Sequence, residues 1–238
     1  MTTAGIAFSI AFAVCAAFAS TVHAARPLVT DDARVVDPSA CQVESWVRKN
    51  RDSTETWALP ACNFTGNLEL TFGGARTRDS DEGGTYASDL QFQGKTLFKP
   101  LEPNGWGMGL VAGTVRHPQL PARDWFAYVP MSFSFVDDRF VVHVNAGWLR
   151  EGESGRQRGT WGIGSETRLH PRLFFIAEVY GQNEGKASHQ VGVRYWIVRD
   201  RVQLDATYGN IAGDRITDRW FSIGLRLLSP AFLPGIFR

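Results

Sequence analysis

The sequence predicts an all-β chain in which twelve antiparallel strands close into an up-and-down barrel. Two observations predict it: apolar and polar side chains alternate along most of the chain, and the connections between the alternating segments differ in length in a regular order. Residues 195–209 show the alternation most plainly. Apolar side chains precede and follow the central Arg199-Asp200 pair with period two. Gln203 and Asp205 take the opposite parity, which predicts a β-hairpin with one apolar and one polar face.

Residues 1–24 have the composition of a secretory signal peptide. An apolar stretch over 4–20 is followed by Val22-His23-Ala24, which has the residue spacing that a signal peptidase cleaves. No Lys or Arg precedes the apolar stretch, so an uncleaved membrane anchor stays open as the alternative. We expect a mature chain that begins at Ala25, with a periplasmic extension over 25–40.

The sequence predicts a disulfide between Cys41 and Cys62. Cleavage of the signal peptide leaves this even pair, and an exported chain favours its oxidation. The two residues are symmetric about a turn near Arg51-Asp52, so they face each other if 41–62 forms a hairpin. Two buried thiols are the alternative.

Twelve strands account for residues 41–228. The expected ranges are 41–50, 55–63, 67–77, 85–98, 105–116, 124–136, 139–150, 158–169, 172–182, 187–198, 201–210 and 218–228. Most are near the roughly 9–11 residues that a tilted strand needs to cross a bilayer. Pro130 removes a backbone donor from the sixth strand, so a bulge or local strain is expected there. Residues 229–238 are expected to form a C-terminal tail.

The connections favour a transmembrane barrel. Those after even-numbered strands are short, and those after odd-numbered strands are longer and polar. Bacterial outer-membrane barrels have short periplasmic turns and longer external loops, whereas a soluble sandwich gives no reason for such an order. Aromatic residues flank both sets of connections and predict two interfacial belts; in a soluble protein they would be cross-strand pairs. The belt residues are Phe98, Trp106, Phe135, Phe140, Trp125, Trp148 and Trp161.

The charged parity decides which face points inward. Packing the charged side chains of this parity into the dry core of a soluble protein would be costly unless every charge were paired. In the lumen of a barrel, the same side chains can contact water and one another. The residues predicted to line the lumen are Glu44, Arg48, Glu69, Asp89, Lys95, His143, Asn145, Glu166, Arg168, Glu178, Arg194, Asp205 and Arg226. The apolar parity then faces lipid, where barrel closure satisfies the backbone. A soluble periplasmic barrel is the less favoured alternative.

Parts of a hydrolase are present on the polar face. His143 and Asn145 share one strand and Ser132 lies on the preceding one, so a Ser-His-Asn arrangement could be built. No nucleophile-elbow pattern occurs, and the side chains would point into the lumen, so we expect no enzyme. The inward Gly162 and Gly164 are expected to make space for bulky lumen side chains.

The mature N-terminus resembles a known family. Residues 26–32, with the sequence RPLVTDD, and Glu44 in the following strand are similar to the start of outer-membrane proteins of the family named for the meta-pathway of phenol degradation. The resemblance implies an outer-membrane barrel concerned with the uptake of hydrophobic or aromatic compounds.

These patterns predict a porin-like channel or uptake protein for small molecules, hydrophobic or aromatic ones included. Its expected partners are outer-membrane lipid, the barrel-assembly machinery and small solutes. The alternative is a structural or interaction barrel whose lumen is filled by its own side chains, which the near balance of inward acids and bases permits. The net charge of +1 gives no reason to expect nucleic acid. The acidic stretch 79–84 lacks the spacing of a calcium loop, and no metal or cofactor is expected.

Overall fold

The computed structural model describes residues 28–80, 86–120, 122–213 and 219–234 and confirms the closed barrel of twelve antiparallel strands. The strands are β1 (Cys41–Lys49), β2 (Ser53–Asn63), β3 (Leu68–Asp79), β4 (Tyr86–Lys99), β5 (Trp106–His117), β6 (Ala122–Phe135), β7 (Phe140–Arg150), β8 (Gln157–His170), β9 (Leu173–Gln182), β10 (Ser188–Val198), β11 (Val202–Ile211) and β12 (Trp220–Leu228). Each strand pairs with its neighbours in sequence, and β1 pairs with β12 to close the barrel.

The predicted signal peptide lies outside the described residues. In the part of the chain that the structure describes, no helix is long and apolar enough to cross a bilayer.

The two faces of the barrel wall differ as the alternation predicts. On the central hairpin of β10 and β11, Val193 and Leu204 are 44% and 40% exposed. Arg194 and Asp205, which follow them directly in the sequence, are 0% and 4% exposed. Because a single-layered barrel buries only the side chains that point inward, the polar face is the inner face and the apolar face is the outer one.

The first hairpin brings the two described cysteines together. Cys41 and Cys62 are directly opposite in the β1–β2 register, and they form the predicted disulfide. The register follows from a tight connection over 50–52, which lies midway between the two cysteines. The hairpin is thereby covalently closed at the end where β1 begins.

Pro130 interrupts the sixth strand without the expected bulge. The β5–β6 ladder passes from Met108↔Met131 to Val111↔Tyr128, so the pairing lapses while the register is kept. On its other side Pro130 pairs in register with Asn145 of β7. The proline lacks the N–H that would complete the pairing towards β5, which explains why only that ladder is interrupted.

The connections differ in length less regularly than the sequence predicts. Those after odd-numbered strands include the long segments 80–85, 151–156 and 212–219, but the β1–β2 connection covers only 50–52. The difference arises because β2 begins at Ser53, earlier than expected. The end of the barrel that carries the connections after odd-numbered strands is called the long-loop end below. The opposite end is called the short-turn end.

Candidate functional site: a lumen occupied by the N-terminal segment

Most of the described residues before β1 lie inside the barrel. This N-terminal segment, residues 28–40, makes hydrogen bonds to inward side chains of β3, β4, β6 and β9. The prediction of a periplasmic extension over 25–40 is therefore wrong for 28–36, because lumen carboxylates and hydroxyls accept the backbone donors there, whereas 37–40 lie at the end of the barrel, where Asp37 and Pro38 are exposed. Residues 25–27 lie outside the described residues.

Two lumen carboxylates hold the backbone of the segment. The amides of Val29 and Thr30 donate to the two carboxylate oxygens of Glu178, each at 2.8 Å. Further along, the amide of Val36 donates to Glu69 Oε2 at 2.8 Å. Carboxylate oxygens accept hydrogen bonds from backbone donors, so two predicted lumen residues act as clamps on the segment.

An ion-pair cluster joins the segment to β4. Lys95 Nζ lies 2.8 Å from Asp31 Oδ1 and 2.9 Å from Asp32 Oδ1. The hydroxyl of Tyr128 donates to the second oxygen of Asp31 at 3.0 Å. Lys95 and Asp32 are buried, so each compensates a charge that would be costly alone.

The barrel wall is shaped to receive the segment. In the orientation that satisfies both its polar atoms, the Asn145 amide donates to the Asp31 carbonyl oxygen at 2.9 Å and accepts from its amide at 2.7 Å. A Cβ atom added at Gly162 would lie 2.5 Å from Thr30 Oγ1. Gly162 therefore provides the space that the sequence predicts, and the segment uses it.

A polar network lies behind the segment. Ser132 Oγ and His143 Nδ1 share a hydrogen bond of 2.8 Å, and the amide of Ala33 donates to the same Oγ at 2.9 Å. His143 Nε2 lies 3.5 Å from Glu166 Oε1, which accepts a hydrogen bond of 2.8 Å from Arg194. Ser132 and His143 are both 0% exposed, so no substrate reaches them in this arrangement. The network positions the segment.

The remaining predicted lumen residues divide by depth. Asp205 and Arg226 are buried, and Arg226 Nε lies 3.4 Å from Glu44 Oε1. Those that are half-buried are Glu44, Arg48, Asp89, Asn145 and Arg168. Asp89 hydrogen-bonds to His117 at 2.6 Å near the long-loop end, whereas Arg168 reaches the Asp137 carbonyl at the short-turn end.

At the long-loop end, the β7–β8 connection and the start of β8 form an ion-pair group. The hydroxyl of Ser154 donates to Glu151 at 2.5 Å, and Arg158 Nε lies 3.3 Å from the other oxygen of the same carboxylate. The Ser154 hydrogen bond and the Arg158 charge hold the pKa of Glu151 below its ordinary value. Glu184, from the next connection at this end, also pairs with Arg158.

Two cavities flank the segment. The first, of about 310 Å³, lies between residues 28–36 and the walls formed by β1–β4. The second, of about 420 Å³, opens towards the long-loop end beside Thr160, Tyr180 and Ser188. Val29, Thr30 and Tyr128 line both. The segment therefore narrows the lumen and leaves space on either side of itself.

Two tryptophans stand inside the lumen, and the sequence analysis did not single them out. Trp46 and Trp57 are directly opposite on β1 and β2 and stack with ring centroids 5.2 Å apart and planes inclined by 7°. Both are half-buried and line the first cavity. Their parity was the available signal, because Trp46 lies midway between Glu44 and Arg48 on the charged face of β1.

The fold and lumen define a closed, single-layered β-barrel with a polar interior and an apolar exterior. A family profile described as "Uncharacterised conserved protein UCP029691" matches residues 11–228, so the chain belongs to that family. The resemblance of the N-terminus to the phenol-degradation family stays a prediction. A search of curated protein sequences finds no match.

Solved structures share the fold. The KdgM porin in complex with disordered oligogalacturonate superimposes with a TM-score of 0.63 at 8% identity, over 78% of this chain and 98% of that one. The NanC porin gives 0.56 at 12% identity, over 79% and 98%. An outer membrane channel from Pseudomonas putida F1 gives 0.53 at 12% identity, over 83% and 97%. At such low identities these likenesses establish the fold alone.

Proposed function

We propose that this protein is a porin-like channel of the bacterial outer membrane, which admits small water-soluble molecules past its N-terminal segment. The observation that carries the proposal is the pair of cavities on either side of the segment, inside a barrel whose inner face is polar. A polar lumen stabilises water and hydrated solutes, and residues 28–36 restrict its width. The porins of the same fold support this proposal.

The outer surface supports a location in lipid. Aromatic side chains lie exposed near the short turns, as Phe98 and Trp106 do, and near the long loops, as Trp125 and Trp148 do. Exposed valine, leucine and isoleucine residues lie between them, in the order of a transmembrane barrel with two aromatic girdles. Export by the N-terminal signal peptide and insertion by the barrel-assembly machinery follow from such a location.

A barrel with a filled lumen is the second candidate, and the buried network of Glu166 and Arg194 favours it. These two side chains occupy the lumen together with the segment and leave no cavity between themselves. If the remaining cavities do not connect, the protein conducts nothing and serves as a structural or interaction barrel. If the protein is a channel, the N-terminal resemblance implies hydrophobic or aromatic compounds as its solutes.

Single-channel recording tests the proposal. Purified full-length mature protein is inserted into planar bilayers in 1 M potassium chloride, a condition of roughly 3 Å Debye length that screens fixed lumen charges. We expect discrete current steps that are small because the segment narrows the lumen. Swelling of liposomes in neutral solutes of increasing size then gives the size limit. The absence of any current and any swelling would contradict the channel and support the filled barrel.

A further inference from the structure

The stacked tryptophans differ in chemistry from most of the inner face. Neighbouring inward positions carry amides, carboxylates and hydroxyls, whereas Trp46 and Trp57 present two large aromatic rings to the first cavity. Leaving aromatic surface against water costs hydrophobic free energy. Neither ring lies in a packed core, since both are half-buried. Such a half-exposed pair of aromatic rings is suited to a ligand that covers it with an apolar face.

The same cavity is rich in hydrogen-bonding amides. Gln91, Gln93 and Thr71 line it, and so does Gln42, whose Oε1 already accepts hydrogen bonds from Arg226. An amide side chain offers two donors and an acceptor with two lone pairs, which is more than the 2.9 Å bond between Gln91 and Gln93 uses. A purely aromatic ligand would displace water from these groups without replacing its hydrogen bonds. A ligand with hydroxyl groups replaces them.

Most of the charges around the cavity pair with one another, and the two others that line it, Arg34 and Glu69, carry opposite signs. Lys95 lies against both Asp31 and Asp32, and Arg226 lies against Glu44. A charged ligand would have to separate these pairs or remain uncompensated. The local electrostatics therefore favour a neutral ligand.

We propose that this cavity is a binding subsite for a neutral saccharide ring. The proposal rests on the channel function and names the class of solute. One C–H face of the sugar stacks on the tryptophan pair, and its hydroxyl groups bond to the glutamine amides. The volume of about 310 Å³ lies at the lower end of the roughly 300–1,000 Å³ of small-molecule sites.

Isothermal titration calorimetry on the full-length mature protein in detergent tests the proposal, with maltose as the probe. We expect maltose to bind, and Trp57→Ala to weaken binding by about tenfold because it removes half of the platform. Trp57→Phe keeps an aromatic ring and is expected to lose less. Trp125→Ala, on the outer surface, is the matched control and is expected to leave binding unchanged. Galacturonate and phenol test a charged sugar and an aromatic ring.

Three results would overturn the saccharide subsite: no heat with maltose, equal affinity in the parent and Trp57→Ala, or tighter binding of phenol or galacturonate. If Trp57→Ala fails to fold, the ratio between the parent and Trp57→Phe decides. Conductance measured on the same preparation without sugar separates the two proposals. Current without maltose binding rejects only the subsite, whereas maltose binding without current rejects only the channel.

Discussion

The lumen has two walls that hold polar groups in different ways. The dry wall, defined by Ser132, His143, Glu166, Glu178 and Arg194, is almost completely buried. The open wall, defined by Glu44, Trp46, Glu55, Trp57 and Gln93, is half-buried, and all of these residues except Glu55 line the first cavity. Both walls come from the same alternation of polar and apolar residues. The N-terminal segment lies against Ser132 and Glu178 of the dry wall, whereas a cavity separates it from much of the open wall, so the contents of the lumen, and not the barrel pattern, set the burial of these polar groups.

The largest expected effect separates the two walls by stability. Glu166→Ala removes the carboxylate that lies 2.8 Å from the buried guanidinium of Arg194 and is expected to cost about 3–5 kcal/mol of unfolding free energy. Glu55→Ala on the open wall removes a half-buried carboxylate, whose nearest cation is Arg48 at 4.0 Å, and should cost about 1 kcal/mol. Urea titrations of protein refolded into lipid vesicles measure both. Equal losses would remove the distinction between the walls.

On the outer surface of the barrel, substitutions behind the two walls should cost the same unfolding free energy. Val193 and Leu204 lie on the outer surface of the strands that form the dry wall, and Phe92 lies on the outer surface of a strand of the open wall. Replacing any of the three by Arg places a charge on the exposed apolar surface. Each is expected to cost about 2–4 kcal/mol in a bilayer. Asp205→Asn, inside the lumen, should be milder because the isosteric amide carries no charge.

The same vesicle titrations measure these four variants. If the arginine variants refold as well as the parent while Asp205→Asn fails, the apolar surface does not face lipid. The protein would then be a soluble barrel.

An effect of comparable size is expected at the first hairpin of the open wall. Replacing Cys41 and Cys62 together by Ala removes the cross-link across the β1–β2 loop. The unfolded state regains the conformational entropy that the cross-link had removed, which predicts about 3 kcal/mol of destabilisation. Urea titrations with and without reductant provide the comparison, and a parent that is equally stable after complete reduction would contradict the prediction.

The sequence predicts the wall of the barrel better than its contents. Strand number, parity and the Cys41–Cys62 pairing all follow from local periodicity, because successive side chains of a strand alternate between faces. The occupation of the lumen by residues 28–36 depends on contacts between residues far apart in sequence, as with Thr30 and Glu178. Irregular backbone has no period to read, so it was placed outside the barrel.

Two residues of the inner face carried information about the lumen that could be taken from strand parity. Trp46 shares the inward parity of Glu44, and Gly162 opens the inner face where the segment lies. The sequence predicts that Gly162 makes space for bulky lumen side chains of the barrel; the space exists, but Thr30 of the N-terminal segment occupies it. The stacking of Trp46 on Trp57 required the register of β1 and β2, which the sequence predicts through the symmetric cysteines.

The conductance of Lys95→Ala relative to the parent tests the central claim most directly. Removal of Lys95 leaves Asp31 and Asp32 without the cation that compensates them, so the segment should leave the lumen. The two cavities would then become one continuous space. Lys99→Ala, which removes a half-buried lysine of the same strand that pairs with the exposed Glu102, is the matched control. We expect larger current steps for Lys95→Ala and unchanged steps for Lys99→Ala. Current steps of Lys95→Ala equal to or smaller than those of the parent would contradict it.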